Sequence, residues 1–207
     1  MEFASLLYFI AVSMLMTIAP GPDILFVIAQ SVSQGRKAGI ATALGLCSGV
    51  TVHTLAAALG ISALLHQSTV AFQIVKYAGA LYLLYMAWQA IKEGSDSPVN
   101  QTATRMSPGA LYRRGILMNV LNPKVSLFFL AFLPQFVSPE VGNISGQMIV
   151  LGLIFMLQAI IIFTLVAIFS GSFGRKIVNN SRISKYVNMA KASIFVFIGI
   201  RLALSDK

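Results

Sequence analysis

"LMTIAPGPDILFV", residues 15–27, places two prolines, a glycine and the carboxylate of Asp23 in the middle of an apolar stretch that runs from Phe3 to Ala29. Proline lacks a backbone donor and clashes with the preceding turn, so this stretch predicts a broken helix rather than a continuous one. A carboxylate beside such a break, inside an apolar environment, needs a partner or a functional role.

Composition indicates that this environment is a lipid bilayer. Of the 207 residues, 57% are hydrophobic and only 10% are charged, whereas a soluble domain usually has about 25% charged residues. The first apolar stretch carries only Glu2 ahead of it, with no positive region of the kind that opens a signal peptide, so we expect it to be retained as a helix.

Six apolar stretches are long enough to cross about 30 Å of hydrocarbon, which needs roughly 20 residues. They lie at about 5–33, 38–65, 70–91, 113–136, 147–170 and 188–205. The polar interval 92–109 is rich in Ser, Pro, Thr and Asn and predicts a loop rather than a further domain. The sequence therefore predicts an all-α integral membrane protein with one transmembrane domain over residues 1–207.

The net charge of +9 is explained by membrane topology rather than by nucleic-acid binding, because the basic residues fall in alternate loops. These residues are Arg36 and Lys37 in the first loop, Lys92, Arg105, Arg113 and Arg114 in the third, and Arg175, Lys176, Arg182 and Lys185 in the fifth. The positive-inside rule makes these loops cytoplasmic and puts both termini outside. Lys76, Lys191 and Arg201 lie near predicted helix ends, where we expect them to snorkel to the headgroups.

The sequence predicts an internal repeat. Pro22-Asp23 corresponds to Pro123-Lys124, and an apolar, aromatic-bearing half-helix follows each pair. Repeat A covers about 1–92, a cytoplasmic loop about 93–112, and repeat B about 113–207. Three spans in each half require the second half to enter the membrane from the opposite side. Inverted repeats with proline-interrupted helices are typical of secondary transporters, whose substrate sites lie near the midplane.

The two breaks have the chemistry of helix starts. Pro22 and Pro123 suit the first position of a new half-helix, with Gly21 and Asn122 as caps. The exposed N–H groups at such a start carry positive dipole character that suits an anionic group such as a carboxylate.

The two charged residues beside the breaks complete a candidate site for a zwitterion. Asp23 offers a negative charge to an ammonium group, and Lys124 or the second half-helix offers a positive one to a carboxylate. A structural ion pair between Asp23 and Lys124 is an equally open alternative, because a buried charge that loses its partner is strongly destabilising.

A row of residues four positions apart on the second span contains small residues at Ala41, Gly45, Gly49 and Ala57, with His53 in the same row. This ridge lets another helix approach closely, so His53 is predicted to face packed protein or a cavity. An interhelical hydrogen bond is its favoured role, over a proton relay or a substrate contact. Gln158, Thr17 and Asn119 are secondary candidates for the same site.

Two other classes of function fit less well. A divalent-metal transporter needs several carboxylate, thiolate or imidazole ligands, and the predicted spans contain few of them. An intramembrane enzyme needs a zinc motif, a second buried carboxylate or a nucleophile with a base in reach. The single cysteine, Cys47, cannot form a CxxC pair. We therefore expect a transporter without cofactor or metal and without enzymatic activity.

Several longer stretches resemble the LysE/RhtB family of bacterial amino-acid exporters. They are "APGPDILFVIAQSVSQGRKAGIATALGLCSGVTVHTLAAALGISALL" (19–65), "YAGALYLLYMAWQAIKEG" (77–94), "GILMNVLNPKVSLFFLAFLPQFV" (115–137) and "GIRLAL" (199–204). The resemblance implies a small protein of the bacterial inner membrane that exports amino acids, is driven by protons and forms a homodimer. The family's signatures correspond here to Ala19, Pro20, Gly21, Pro22, Asp23, Asn122, Pro123 and Lys124. The form "PGPD" together with His53 resembles the threonine/homoserine branch more than the basic-amino-acid branch.

Overall fold

The computed structural model describes residues 3–19, 21–61, 69–92, 105–178 and 181–204, and the regular structure of this part of the chain is helical. The α-helices are α1 Phe3–Ile18, α2 Pro22–Gln34, α3 Arg36–Ala56, α4 Thr69–Lys92, α5 Pro108–Val120, α6 Pro123–Leu127, α7 Ile144–Val178 and α8 Ser181–Ala203. A π-helical turn, Ala57–Ile61, continues α3. A second π turn, Phe128–Phe132, and a 3-10 turn, Leu133–Phe136, continue α6, and a short 3-10 turn, Pro139–Val141, follows.

The two predicted breaks are present. The axes of α1 and α2 differ by 55°, and those of α5 and the segment from Pro123 to Phe136 differ by 49°. Each second half begins with a proline in its first turn, with Gly21 and Asn122 at the cap positions. Because proline cannot donate to the preceding turn, the chain restarts a helix at this residue instead of continuing the old one. The sequence-based assignment of both breaks and both caps is confirmed.

Two helices of the described residues are long and apolar enough to span a membrane by themselves, over Arg36–Gly60 and Ile144–Ser170. The count rises to four if each bent pair is one span. The remaining long helices, α4 and α8, pack mainly against one another. The arrangement as six spans in two inverted repeats therefore stays a prediction.

Glycines bring α3 and α5 into close contact. A Cβ at Gly115 of α5 would lie 2.7 Å from the Thr42 carbonyl oxygen, and a Cβ at Gly45 of α3 would overlap the Tyr112 carbonyl. Glycine thus allows the two backbones to touch, as small residues do in membrane helix pairs. The predicted ridge on the second span is confirmed, and this contact holds the first half of the second broken pair beside α3.

An aromatic cluster joins α1, the continuation of α6 and α7. The Phe128 ring lies 5.2 Å from both the Phe132 and Phe155 rings, and the Phe9 ring lies 5.2 Å from that of Phe136. Ring pairs at such distances contribute about 0.5–1.5 kcal/mol beyond the area they bury. The cluster packs the half of the second bent pair that follows the break.

Helix ends differ from those predicted by apolarity. α5 begins at Pro108 instead of at 113, α7 continues to Val178 instead of ending at 170, and α8 begins at Ser181 instead of at 188. The predicted fifth-loop basic residues therefore fall within helical segments. Apolarity marks where a helix contacts hydrocarbon, but polar residues continue the helix because its hydrogen bonds are within the backbone. Most of the predicted loop, residues 93–104, lies outside the described residues.

The prediction that Lys76 snorkels is wrong. Its side chain is only 3% exposed, because it lies on the protein-facing side of α4. One turn further on, Gly79 packs against Ala131 so closely that a Cβ there would lie 2.9 Å from the alanine methyl. Arg201, by contrast, is exposed, and its Nε donates to the Tyr8 hydroxyl. The Lys191 side chain lies outside the described residues.

Candidate functional site

A small cavity lies where the two broken helices meet. Its polar wall is formed by Thr17, Asp23, Asn119 and Lys124, so residues on both sides of both breaks line it. Apolar wall residues come from α3, from the continuation of α6 and from α7: Val50, Phe128, Phe155, Ala159 and Phe163. The volume is about 20 Å³, enough for about one water molecule. The cavity is therefore too small for an amino acid in this conformation.

Asp23 presents an acceptor without a partner. The residue lies in the first turn of α2 and is 4% exposed. Its Oδ2 accepts a hydrogen bond from Asn119 Nδ2 at 3.2 Å, whereas its buried Oδ1 makes no hydrogen bond of normal geometry among the described residues, with the Asn122 side chain close to the carboxylate. Leaving a buried carboxylate oxygen unpaired is costly, so such an atom is suited to a donor that arrives from outside the protein.

Lys124 reaches across to the first broken helix. Its Nζ donates to the carbonyl oxygens of Met16 at 2.8 Å and Ala19 at 3.0 Å, and the side chain is 4% exposed. Gly21 leaves room for this contact, because a Cβ there would lie 3.3 Å from Nζ. The ammonium therefore binds the backbone where α1 ends.

Asn119 and Asn122 connect the second break to both charged residues. The Asn122 side chain caps α6 by accepting from the Lys124 backbone N–H at 3.0 Å, while its own Nδ2 has no partner among the described residues. Pro123 cannot donate to the Asn119 carbonyl, which accepts from the Asn122 N–H at 2.9 Å instead. Each residue that follows its proline thus contacts the other broken helix: Asp23 through Asn119, and Lys124 through the end of α1.

His53 binds the second break from α3. Its Nε2 lies 3.0 Å from the Asn119 carbonyl oxygen, and the side chain is 7% exposed. Because a carbonyl only accepts hydrogen bonds, Nε2 carries the proton in this contact. The predicted orientation of His53 toward packed protein is confirmed.

Gln158 on α7 binds Thr17, which lines the cavity. Its Nε2 donates to the Thr17 hydroxyl at 2.8 Å, and that hydroxyl donates to the Ser13 carbonyl at 2.9 Å. The buried Oε1 of Gln158 and Oδ1 of Asn119 have no hydrogen-bond partner among the described residues. Among the unpaired acceptors of the described residues, Asp23 Oδ1 belongs to a residue that lines the cavity, whereas Asn119 Oδ1 packs against α3, where a Cβ at Gly49 would lie 2.9 Å from it.

Metal ligands are few at this site. Among the described residues, no group of three His, Cys, Asp or Glu side chains is close enough to hold a metal ion.

Comparison with known proteins adds to this geometry. The model of the LysE type translocator family matches residues 5–206. The chain belongs to this family. As a LysE type translocator with membrane-length helices, it is a multi-pass membrane protein.

Curated relatives of this LysE family member match over nearly their whole length. An uncharacterized membrane protein, YrhP, of Bacillus subtilis (strain 168) is 32% identical, with 97% of this chain and 99% of the relative covered. A homoserine/homoserine lactone efflux protein of Salmonella typhimurium (strain LT2) is 28% identical, with 94% of each chain covered. No solved structure matches the chain.

Sequence reasoning indicates that Pro20, Pro22 and Pro123 release backbone carbonyls that must face protein or water, but it does not identify Lys124 as a donor to them. Pro20 lies four residues after Met16, which could have marked the Met16 carbonyl as one without a helical donor. The cavity wall residues Phe155 and Phe163 carry no comparable signal, because they resemble the other apolar residues of α7.

Proposed function

We propose that the chain exports a neutral amino acid or a close derivative, with homoserine and threonine favoured, from the cytoplasm in exchange for protons. Family membership and the similarity to a homoserine/homoserine lactone efflux protein support this proposal. The protein would lie in the bacterial inner membrane, with six spans in two inverted repeats, both termini outside, and a homodimeric assembly.

The unpaired Oδ1 of Asp23 is the observation that carries the proposal. An ammonium group has three N–H donors, and Asp23 Oδ1 is a buried acceptor of a cavity-lining residue that makes no hydrogen bond among the described residues. A carboxylate that accepts from an ammonium group makes a charge-assisted hydrogen bond, which is about twice as strong as a neutral one. We therefore assign the amino group of the substrate to Asp23.

The opposite end of the substrate would lie toward the second break. Asn122 Nδ2 is a buried donor without a partner among the described residues, and it suits a carboxylate or carbonyl oxygen. The positive charge of Lys124, at the cavity wall, favours an anionic group on this side without leaving the carbonyls that it binds.

A proton arriving from outside would neutralise Asp23 and weaken its hold on the ammonium group. The substrate would then leave on the outer side, and loss of the proton to the cytoplasm would reset the carboxylate. A cavity of about 20 Å³ does not hold an amino acid, so loading requires the half-helices to separate. The two bends of 55° and 49° are the natural hinges for such alternating access.

Efflux from proteoliposomes tests the proposal. Vesicles preloaded with labelled homoserine, threonine, leucine, lysine or cysteine are compared with and without an imposed pH gradient. We expect gradient-stimulated loss of a neutral amino acid by the wild type, and no stimulation in Asp23→Asn, which keeps the shape but not the charge. Glu140→Gln is the matched control, because Glu140 is an exposed carboxylate in the 3-10 turn after α6.

Two results would contradict the proposal. Folded wild-type protein that moves none of these amino acids would leave the family membership but remove the substrate assignment. Gradient-stimulated efflux by Asp23→Asn at the rate of Glu140→Gln would remove the role of Asp23.

A further inference from the structure

We propose that the ammonium group of Lys124 is a built-in cation, which takes the place at the first break that a coupling ion takes in other transporters. The inference rests on the proposed function for its consequence for transport, whereas its consequence for ion binding is independent of it.

The end of α1 leaves backbone carbonyl oxygens without helical donors. The last intact helical hydrogen bond there joins the Ala19 N–H to the Leu15 carbonyl at 2.9 Å. The Met16 carbonyl comes next, and its helical donor would be residue 20, a proline without an N–H. This carbonyl and that of Ala19 therefore need another donor. They also lie at the C-terminal end of a 16-residue helix, which carries partial negative charge.

The ammonium group of Lys124 binds these carbonyl oxygens. Lys124 Nζ lies 2.8 Å and 3.0 Å from the two carbonyl oxygens, and Met16 and Ala19 are themselves buried, at 1% and 0% exposed. The Phe195 ring centroid lies 6.0 Å from Nζ, within the range of a cation–π contact. The surroundings of the ammonium thus include backbone oxygens, an aromatic face and the nearby Asp23 carboxylate at the same cavity.

The carbonyl oxygens at the end of α1 resemble those that bind coupling ions in other transporters. In secondary transporters with broken helices, unwound carbonyls and the C-terminal ends of half-helices coordinate Na⁺ or H⁺. Here the same kind of oxygen cradle holds a cation that is covalently part of the protein. The wild type therefore needs no alkali ion at the first break. Removal of the ammonium would create a site that a small soluble cation can enter, with methylammonium favoured because it matches the lysine terminus.

Cation titration of purified variants tests this inference. The protein is kept in detergent in a choline buffer, and its unfolding temperature is measured against methylammonium, K⁺ and Na⁺ in turn. We expect no response in the wild type. Lys124→Ala, which opens space beside the carbonyls, should unfold at a lower temperature and recover in a saturable way with methylammonium, as a ligand that binds only the folded state stabilises it.

Lys124→Met is the matched control, because it keeps most of the side-chain volume without the charge. We expect it to be destabilised and insensitive to cations. If Lys124 only fills space, Lys124→Met will be as stable as the wild type and the inference is wrong. It is also wrong if Lys124→Ala shows no cation response, or yields no folded protein when purified in methylammonium.

A transport measurement separates this inference from the proposed function. Wild-type efflux should be unchanged when Na⁺ is replaced by choline, and Lys124→Ala efflux should rise at least several-fold with methylammonium. If the wild type transports nothing, the proposed function fails while the unfolding titration still decides the role of Lys124.

Discussion

Replacing Gly115 with alanine tests whether the contact between α3 and α5 positions the site. A Cβ at this position would lie 2.7 Å from the Thr42 carbonyl oxygen, and ordinary contact begins at 3.4 Å. The three nearest atoms, which belong to Thr42, Gly45 and Leu46, are all backbone, so α5 must move away from α3 by the difference, about 0.7 Å. His53 is on α3 and Asn119 is on α5, so their hydrogen bond would lengthen from 3.0 Å to about 3.7 Å, beyond hydrogen-bonding range.

The expected cost follows from these two effects. Overpacking costs about 1–3 kcal/mol, and a lost hydrogen bond costs about 0.5–1.5 kcal/mol, while alanine gains up to about 1 kcal/mol in helix propensity. Because Gly109→Ala gains helix propensity in the same way, that term cancels, and we expect the free energy of unfolding to fall by about 1.5–4.5 kcal/mol relative to Gly109→Ala. Gly109 lies on the same helix, and a Cβ there would meet nothing within 4 Å.

Both variants are compared by equilibrium unfolding in detergent and by efflux from proteoliposomes. Gly115→Ala should be less stable and should export more slowly, because the Asn119 side chain moves relative to Asp23. Equal stability and equal efflux in the two variants would show that the close contact does not position the site.

Three further predictions concern single residues of the site and the core. Asn122→Ala should lower the free energy of unfolding by about 0.5–2 kcal/mol because it removes the cap on the Lys124 N–H; Asn122→Ser keeps a capping acceptor without adding a charge beside Asp23 and should lose less, and equal losses in a denaturant titration would argue against the cap. Gln158→Leu removes the donor to Thr17 and one buried acceptor, so the apparent affinity for the exported amino acid should fall by about 2- to 13-fold, measured by competition in the efflux assay; an unchanged affinity would place Gln158 outside the binding site. Phe128→Ala empties part of the aromatic cluster at a residue that is 1% exposed, so we expect a loss of about 3–5 kcal/mol, and a loss below 1 kcal/mol would mean that the cluster can collapse around the space.

Local chemistry explains why the breaks could be predicted. Pro22 and Pro123 exclude a continuous helix whatever surrounds them, and Asn122 is a cap by virtue of its own side chain. The orientation of His53 was predictable for a similar reason, because the spacing of four residues from Gly49 puts both on one helix face. These features depend on residues within one or two turns of each other.

Other features required the packing of distant segments. Lys76 was predicted to snorkel because a lysine near a helix end usually can, and its burial follows from how α4 lies on the segment around Ala131. The ends of α7 and α8 were misplaced because polarity does not stop a helix.

The amino-acid sequence by itself determined a multi-pass membrane protein with two proline-broken helices. It also determined that a negative charge, Asp23, follows the first break and a positive charge, Lys124, follows the second. Only the tertiary structure decided which atoms these charges meet. Lys124 binds backbone oxygens 105 and 108 positions away in the chain. Pro20 marks the Met16 carbonyl as one without a helical donor, but the sequence does not reveal which distant side chain supplies the donor until folding brings the end of α1 against the start of α6.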